Sequence, residues 1–118
     1  MTVALDLFWL VFAHTLADFG FQNRWMADNK GSFKWLMSAH CIIYTGIMML
    51  MFVLLGKDFP ILIPLLFISH YVVDTLKCHE VKVLRSQKAP EYKFSHAVVV
   101  DQIAHVVLIV MLYFAPLL

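Results

Sequence analysis

Three pairs of ionisable residues recur along this chain at a separation of four: His14 with Asp18, His70 with Asp74, and Asp101 with His105. On an α-helix that separation puts both side chains on one face, a turn apart. His40 adds a further imidazole. Imidazole and carboxylate together are the ligands of Zn, Mn or Fe, and helical bundles hold such ions with paired ligands projecting inward from facing helices. The full set of His14, Asp18, His40, His70, Asp74, Asp101 and His105 exceeds what one tetrahedral ion requires. Its convergence predicts a divalent transition-metal centre with room for two ions. Such a centre lowers the pKa of a bound water. With Asp18, Asp74 or Asp101 as general base, it would hydrolyse a phosphoester, an ester or an amide.

The surroundings of these residues make them informative. The chain has 118 residues, of which 62% are hydrophobic and only 14% charged, and its mean hydropathy is +0.80. Soluble domains carry about a quarter of charged residues. Residues 35–56 contain no charge at all, and residues 94–118 contain only Asp101. This is the composition of an integral membrane protein; it excludes a disordered chain, a nucleic-acid-binding module and a secreted disulfide scaffold. The net charge of +1 says little, because the signs are separated along the chain.

A bilayer core of about 30 Å takes roughly 20 apolar residues per helix. The expected fold is therefore all-α: a single domain over residues 1–118 with four transmembrane helices near 3–21, 36–55, 59–78 and 97–117, packed as an antiparallel bundle. Gly56, Lys57 and Asp58 form a hairpin short enough to make the second and third spans neighbours, with Asp58 as a cap and Pro60 in the first turn of the third. Pro64, one turn further in, is a candidate bend. The first span lacks a basic n-region and a small-residue cleavage site, and reads as retained.

Eight of the nine basic residues lie in two stretches, Arg24, Lys30 and Lys34 in the first and Lys77, Lys82, Arg85, Lys88 and Lys93 in the second. Basic loops stay on the cytoplasmic side, so both stretches are expected there, in a bacterial inner membrane, with both termini outside. Trp25, Trp35, Tyr92 and Phe94 flank them as an interfacial belt. Cys41 and Cys78 then fall on the reducing side and read as packing residues. The methionines read as gap-filling or lipid-facing.

With that orientation, the order His then Asp in spans one and three and Asp then His in span four becomes a single layer. Every aspartate lies about one turn, and every histidine about two, from the cytoplasmic edge, which places the layer roughly 6 to 12 Å deep at ~1.5 Å per residue. His40 reaches a similar level from span two. The two halves form an approximate hairpin repeat, with a pseudo-symmetric site between them. Ionisable residues at membrane depth cost several kcal/mol unless they face the interior and find partners. Gln22, Lys30, Lys77 and Gln102 are the expected second rank, orienting carboxylates or touching an anionic substrate. His79 and His96 read as solvated. The run from Lys77 to Lys93 suits anionic lipid headgroups or a phosphate-bearing substrate. No nucleic-acid partner is expected, and a bundle this small suits a homodimer.

Two other functions use the same residues. A proton or metal-ion translocator would need polar groups continuing to the far side, where the sequence offers none beside these pairs. A small membrane effector would use the layer only as a structural His/Asp network.

The stretch Ala13-His14-Thr15-Leu16-Ala17-Asp18-Phe19-Gly20-Phe21-Gln22, followed by Asn29-Lys30, His40, His70-x-x-x-Asp74-x-x-Lys77 and Asp101-Gln102-x-x-His105, resembles a family of small bacterial and phage membrane proteins of unknown function. The resemblance covers essentially the whole chain and implies no activity. In residue types the chain is also similar to the predicted membrane-bound metal-dependent hydrolases, which place His and Asp in short apolar spans. That likeness implies hydrolysis.

Overall fold

The computed structural model describes residues 2–20 and 24–115, all of them helix, turn or connecting segment, with no strand. Helix α1, Val3–Thr15, starts at Thr2, whose hydroxyl accepts from the amide of Leu5 at 3.2 Å. It runs on into a π-helical turn, Leu16–Gly20. A short α2, Arg24–Asn29, lies in the first basic stretch. Then come α3, Lys34–Leu54, α4, Leu62–Ser86, and α5, Glu91–Phe114.

Two turns of one design reverse the chain. After α3, Gly56 takes φ +80°. Its amide donates to Val53 O at 2.9 Å, and that of Lys57 to Phe52 O at 2.8 Å, the paired bonds of a Schellman stop. After α4, Lys88 takes φ 50°. Here Lys88 N donates to Arg85 O at 3.1 Å and Ala89 N to Leu84 O at 3.0 Å. Pro90 follows and opens α5.

Several expected boundaries move. The third span does not begin at Phe59, nor is it capped by Asp58: α4 starts at Leu62, and Pro60 belongs to the preceding turn. Pro64 thus falls in the first turn, where an amide has no intrahelical partner to lose, and gives no reason for a bend. At its other end α4 continues eight residues past Cys78, and α5 begins at Glu91 rather than Ala97. Most of the expected second basic loop is therefore helix, because Lys82, Val83, Leu84 and Arg85 supply no breaker before Lys88 and Pro90. At ~1.5 Å per residue α4 is about 37 Å long.

Short connections make α3 antiparallel to α4 and α4 to α5. Each long helix packs against two others, α1 on α3 and α5, and α4 on α3 and α5, which closes a ring within an envelope of 47 × 27 × 25 Å. The interior is built on a four-residue ladder: Leu10, His14 and Asp18 on α1 and its π turn; His40, Tyr44, Met48 and Phe52 on α3; Leu62, Leu66, His70 and Asp74 on α4; Asp101, His105 and Ile109 on α5. All of these are buried. The outside is apolar as well, with Trp35, Leu54, Leu50, Val100 and Met111 among the exposed large side chains.

Among the described residues, three helices are long and apolar enough to cross a membrane: Val3–Gly20, Lys34–Leu54 and Glu91–Phe114. Helix α4 has the length but not the composition, because Asp74, Lys77, Glu80, Lys82 and Arg85 crowd its second half.

Candidate metal centre

The centre occupies the half of the ring nearest α2 and the α4–α5 turn. His40 is its hub: its Nε2 lies 2.9 Å from His70 Nε2, 3.2 Å from Asp18 Oδ1 and 3.4 Å from Asp74 Oδ2. His70 Nε2 in turn lies 3.4 Å from Asp18 Oδ1, a contact across the diagonal of the ring. The sequence-derived set His14, Asp18, His40, His70, Asp74, Asp101 and His105 is thus gathered in one layer, each residue at most 4% exposed.

Helix α1 reaches this layer through His14, and the π turn that continues it through Asp18, with Ala17 also buried. Such turns are rare and concentrate at functional sites.

Hydrogen-bond chemistry orders the protons on one side of the layer. Gln102 Nε2 donates to Asp18 Oδ2 at 3.3 Å and to Asp101 Oδ2 at 3.0 Å. Carboxylates only accept, so the amide oxygen of Gln102 faces His14 Nε2, which donates to it at 2.9 Å. His14 Nδ1 is then an acceptor, and Tyr44 donates to it at 3.1 Å. Tyr44 also stacks on His70, ring centroids 3.7 Å apart and planes 14° apart.

On the other side the imidazoles are less committed. His105 Nδ1 donates to the main-chain oxygen of Asp101 at 2.8 Å. A carbonyl only accepts, so His105 Nε2 carries a lone pair, and this buried atom has no hydrogen-bond partner among the described residues. A ring held through one nitrogen with the other bare is the arrangement of a metal-ligating histidine.

Two lysines bring positive charge to the same depth. Lys30, only 2% exposed, places Nζ 2.6 Å from Asp74 Oδ2. Lys77 Nζ lies 3.3 Å from Asp74 Oδ1 and 3.9 Å from Asp101 Oδ2. Lys30 can reach because Gly31 lies flat on α4: a Cβ on Gly31 would stand 2.7 Å from Cys78 Cβ. With neutral histidines, Asp18, Asp74 and Asp101 against Lys30 and Lys77 leave one negative charge in excess, which a cation would neutralise.

Among the described residues, three groups of side chains bring ligand atoms within 4.8 Å of one another: His14, Asp18 and His105; Asp18, His40 and His70; and His70, Asp74 and His105. The first requires Gln102 to release His14 Nε2. The other two share His70 and spend no ring nitrogen already bonded to an amide. Asp101 belongs to none of the three; it faces the Gln102 amide and Lys77 instead. Of the expected second rank, Lys30, Lys77 and Gln102 are in contact with the carboxylates, and Gln22 lies outside the described residues. His79 and His96 are exposed.

Two features escape the sequence reading. Tyr44 looks like packing in an apolar span, and its position four residues from His40 was the available signal. Asp6 is the other: the far half is not free of buried charge, because Asp6, 8% exposed, accepts from the Tyr113 hydroxyl at 2.6 Å. Its nearness to the chain start disguises it as a terminal residue, although it lies two turns before His14 on the same ladder.

A family model described as a protein of unknown function (DUF3307) matches residues 7–117. No curated protein and no solved structure matches the chain. The matched segment takes in every member of the polar layer, and the chain belongs to the DUF3307 family.

Proposed function

We propose that this is a four-span membrane metalloprotein with a His/Asp centre near the cytoplasmic face, and that the centre carries out hydrolysis of a phosphate-bearing substrate. The carrying observation is the layer itself: three carboxyl groups and four imidazoles, buried and contributed by all four long helices, with a bare His105 Nε2. In this reading α4 crosses as the fourth span, with Asp74 and Lys77 paired within the ring and Glu80, Lys82 and Arg85 exposed toward its C-terminal end, and both termini lie outside the inner membrane.

Asp18, His70 and His105, each in two of the three groups, are the principal ligands, with His40 and Asp74 completing one or two sites. A bound Zn, Mn or Fe ion supplies a water of lowered pKa. Asp101 is the carboxylate left to take up a proton, held by the Gln102 amide beside Lys77. Lys77, a fifth exposed on its side chain, is placed to meet an anionic substrate. An ion pathway is less well supported. Between the layer and the far end the interior is closed by Leu10, Met48, Phe52, Leu66 and Ile109, each at most 1% exposed.

Elemental analysis of protein purified in detergent without chelator tests this. Stoichiometric transition metal is expected, lost in His70→Ala and retained in Asp101→Asn, while Asp101→Asn abolishes hydrolysis of a phosphoester. Metal-free wild-type protein that takes up none on titration would sink the proposal.

A further inference from the structure

Two concavities lie end to end on the outer seam between α3 and α4. One, of about 570 Å³, sits at the basic end and is walled by Lys30, Lys34, Tyr71, Thr75, His79 and Lys82. The other, of about 760 Å³, continues along the same seam toward the far end and is apolar, walled by residues such as Ile42, Gly46, Leu50, Pro64 and Phe67. On α4 the two are one stripe: Pro64, Phe67, Tyr71, Thr75, Cys78 and Lys82 recur at three or four residues, the spacing of a single helix face.

We infer that this seam binds one anionic phospholipid, with the phosphate in the basic cleft and an acyl chain along the apolar groove. Charge complementarity selects the occupant. The described walls of the cleft offer Lys34, His79 and Lys82 and no carboxylate, the Lys30 ammonium being turned inward onto Asp74, whereas the adjoining groove is walled by apolar side chains, Thr45 and Gly46. A soluble phosphate would use the cleft and leave the groove empty; a neutral lipid would use the groove and ignore the lysines. The cleft also shares a wall with the centre, since Lys30 lines it while its Nζ rests on Asp74. The inference rests on the membrane reading above and adds to it a lipid site beside the centre.

Gly46 supplies a clean test. A Cβ built there meets nothing within 4 Å, and Gly46 lines the groove, so Gly46→Phe directs a ring toward it from a position with room for a side chain. Native mass spectrometry of the detergent-solubilised protein, titrated with phosphatidylglycerol or phosphatidylcholine, gives the readout. Phosphatidylglycerol should be retained about tenfold more tightly than phosphatidylcholine, and that preference should vanish in Lys34→Gln with Lys82→Gln. Gly46→Phe should weaken both lipids, and Ile103→Phe, on the exposed face of α5, neither. Equal retention of the two lipids, an unchanged affinity in Gly46→Phe, or displacement of the lipid by inorganic phosphate would each overturn the inference. Metal content, measured on the same samples, separates the two proposals: phosphatidylglycerol bound selectively by metal-free protein sinks the metal centre and leaves the lipid site standing.

Discussion

The two halves of the ring are held by different forces. In the half nearest α2, every pair of neighbouring helices is joined by polar side chains: Asp18 to His40, His40 to His70, Lys77 to Asp101, and Gln102 back to His14 and Asp18. In the other half Leu10, Met48, Phe52, Leu62, Leu66 and Ile109 interlock by shape, and the Asp6–Tyr113 hydrogen bond ties α1 to α5. Lipid tails are as apolar as leucine, so shape alone gives little preference for helix over lipid. Directional bonds decide which faces meet, and the apolar half follows.

That contrast can be broken at its strongest point first. Lys30→Met leaves Asp74 short of its closest cation in a buried site, and breaking such a pair costs about 3–5 kcal/mol. Unfolding in a denaturing detergent should show that loss, and Lys30→Met combined with Asp74→Asn should recover much of it. A loss in the double variant equal to the sum of the losses in Lys30→Met and Asp74→Asn would mean that the pair is not coupled.

Phe52→Ala probes the other half. In a water-soluble core such a truncation costs about 3–5 kcal/mol. Here the loss should be smaller, because exposed apolar surface in the separated helices meets lipid rather than water. A loss equal to the soluble range would refute the division drawn between the halves.

Tyr113→Phe removes the far hydrogen bond and should cost about 1 kcal/mol, near the range of interhelical hydrogen bonds in membranes. The Lys57 ammonium lies 4.4 Å from the centre of the same ring and should remain there. The smallest effect compares the two turns. Gly56 already occupies its left-handed position without strain, whereas Lys88 does not, so Lys88→Gly should stabilise by about 1 kcal/mol or less. Gly56→Lys should destabilise by a similar amount, both read in the same unfolding assay.

Much of the centre was legible because a lone charge in an apolar helix carries information. Asp74 and His70, four apart in a hydrophobic stretch, can only face inward. What stayed hidden depended on contacts between distant segments. Lys30 is among the residues expected to orient carboxylates, but which carboxylate it meets is not legible nearby in the chain: its reach to Asp74 depends on Gly31 lying against Cys78. The π turn left no mark beyond the spacing of His14 and Asp18, which an ordinary helix satisfies too. The length of α4 was misread for the opposite reason: its basic residues were assigned to a loop by charge, although their helix propensity is high. Charge reports on location and propensity on conformation, and here the two diverge.

The closure of α1 against α5 bears on how the protein is made. His14 meets Gln102 across 88 residues of chain, and Asp6 meets Tyr113 across 107. Helix α1 is therefore completed by α5, and until α4 and α5 have been made the packed α1 and α3 hold His14, Asp18 and His40 without His70 or Gln102. A chain stopped after α3 should remain with the insertion machinery or be taken by membrane proteases. Maturation is in this sense a single event, timed by the arrival of α5.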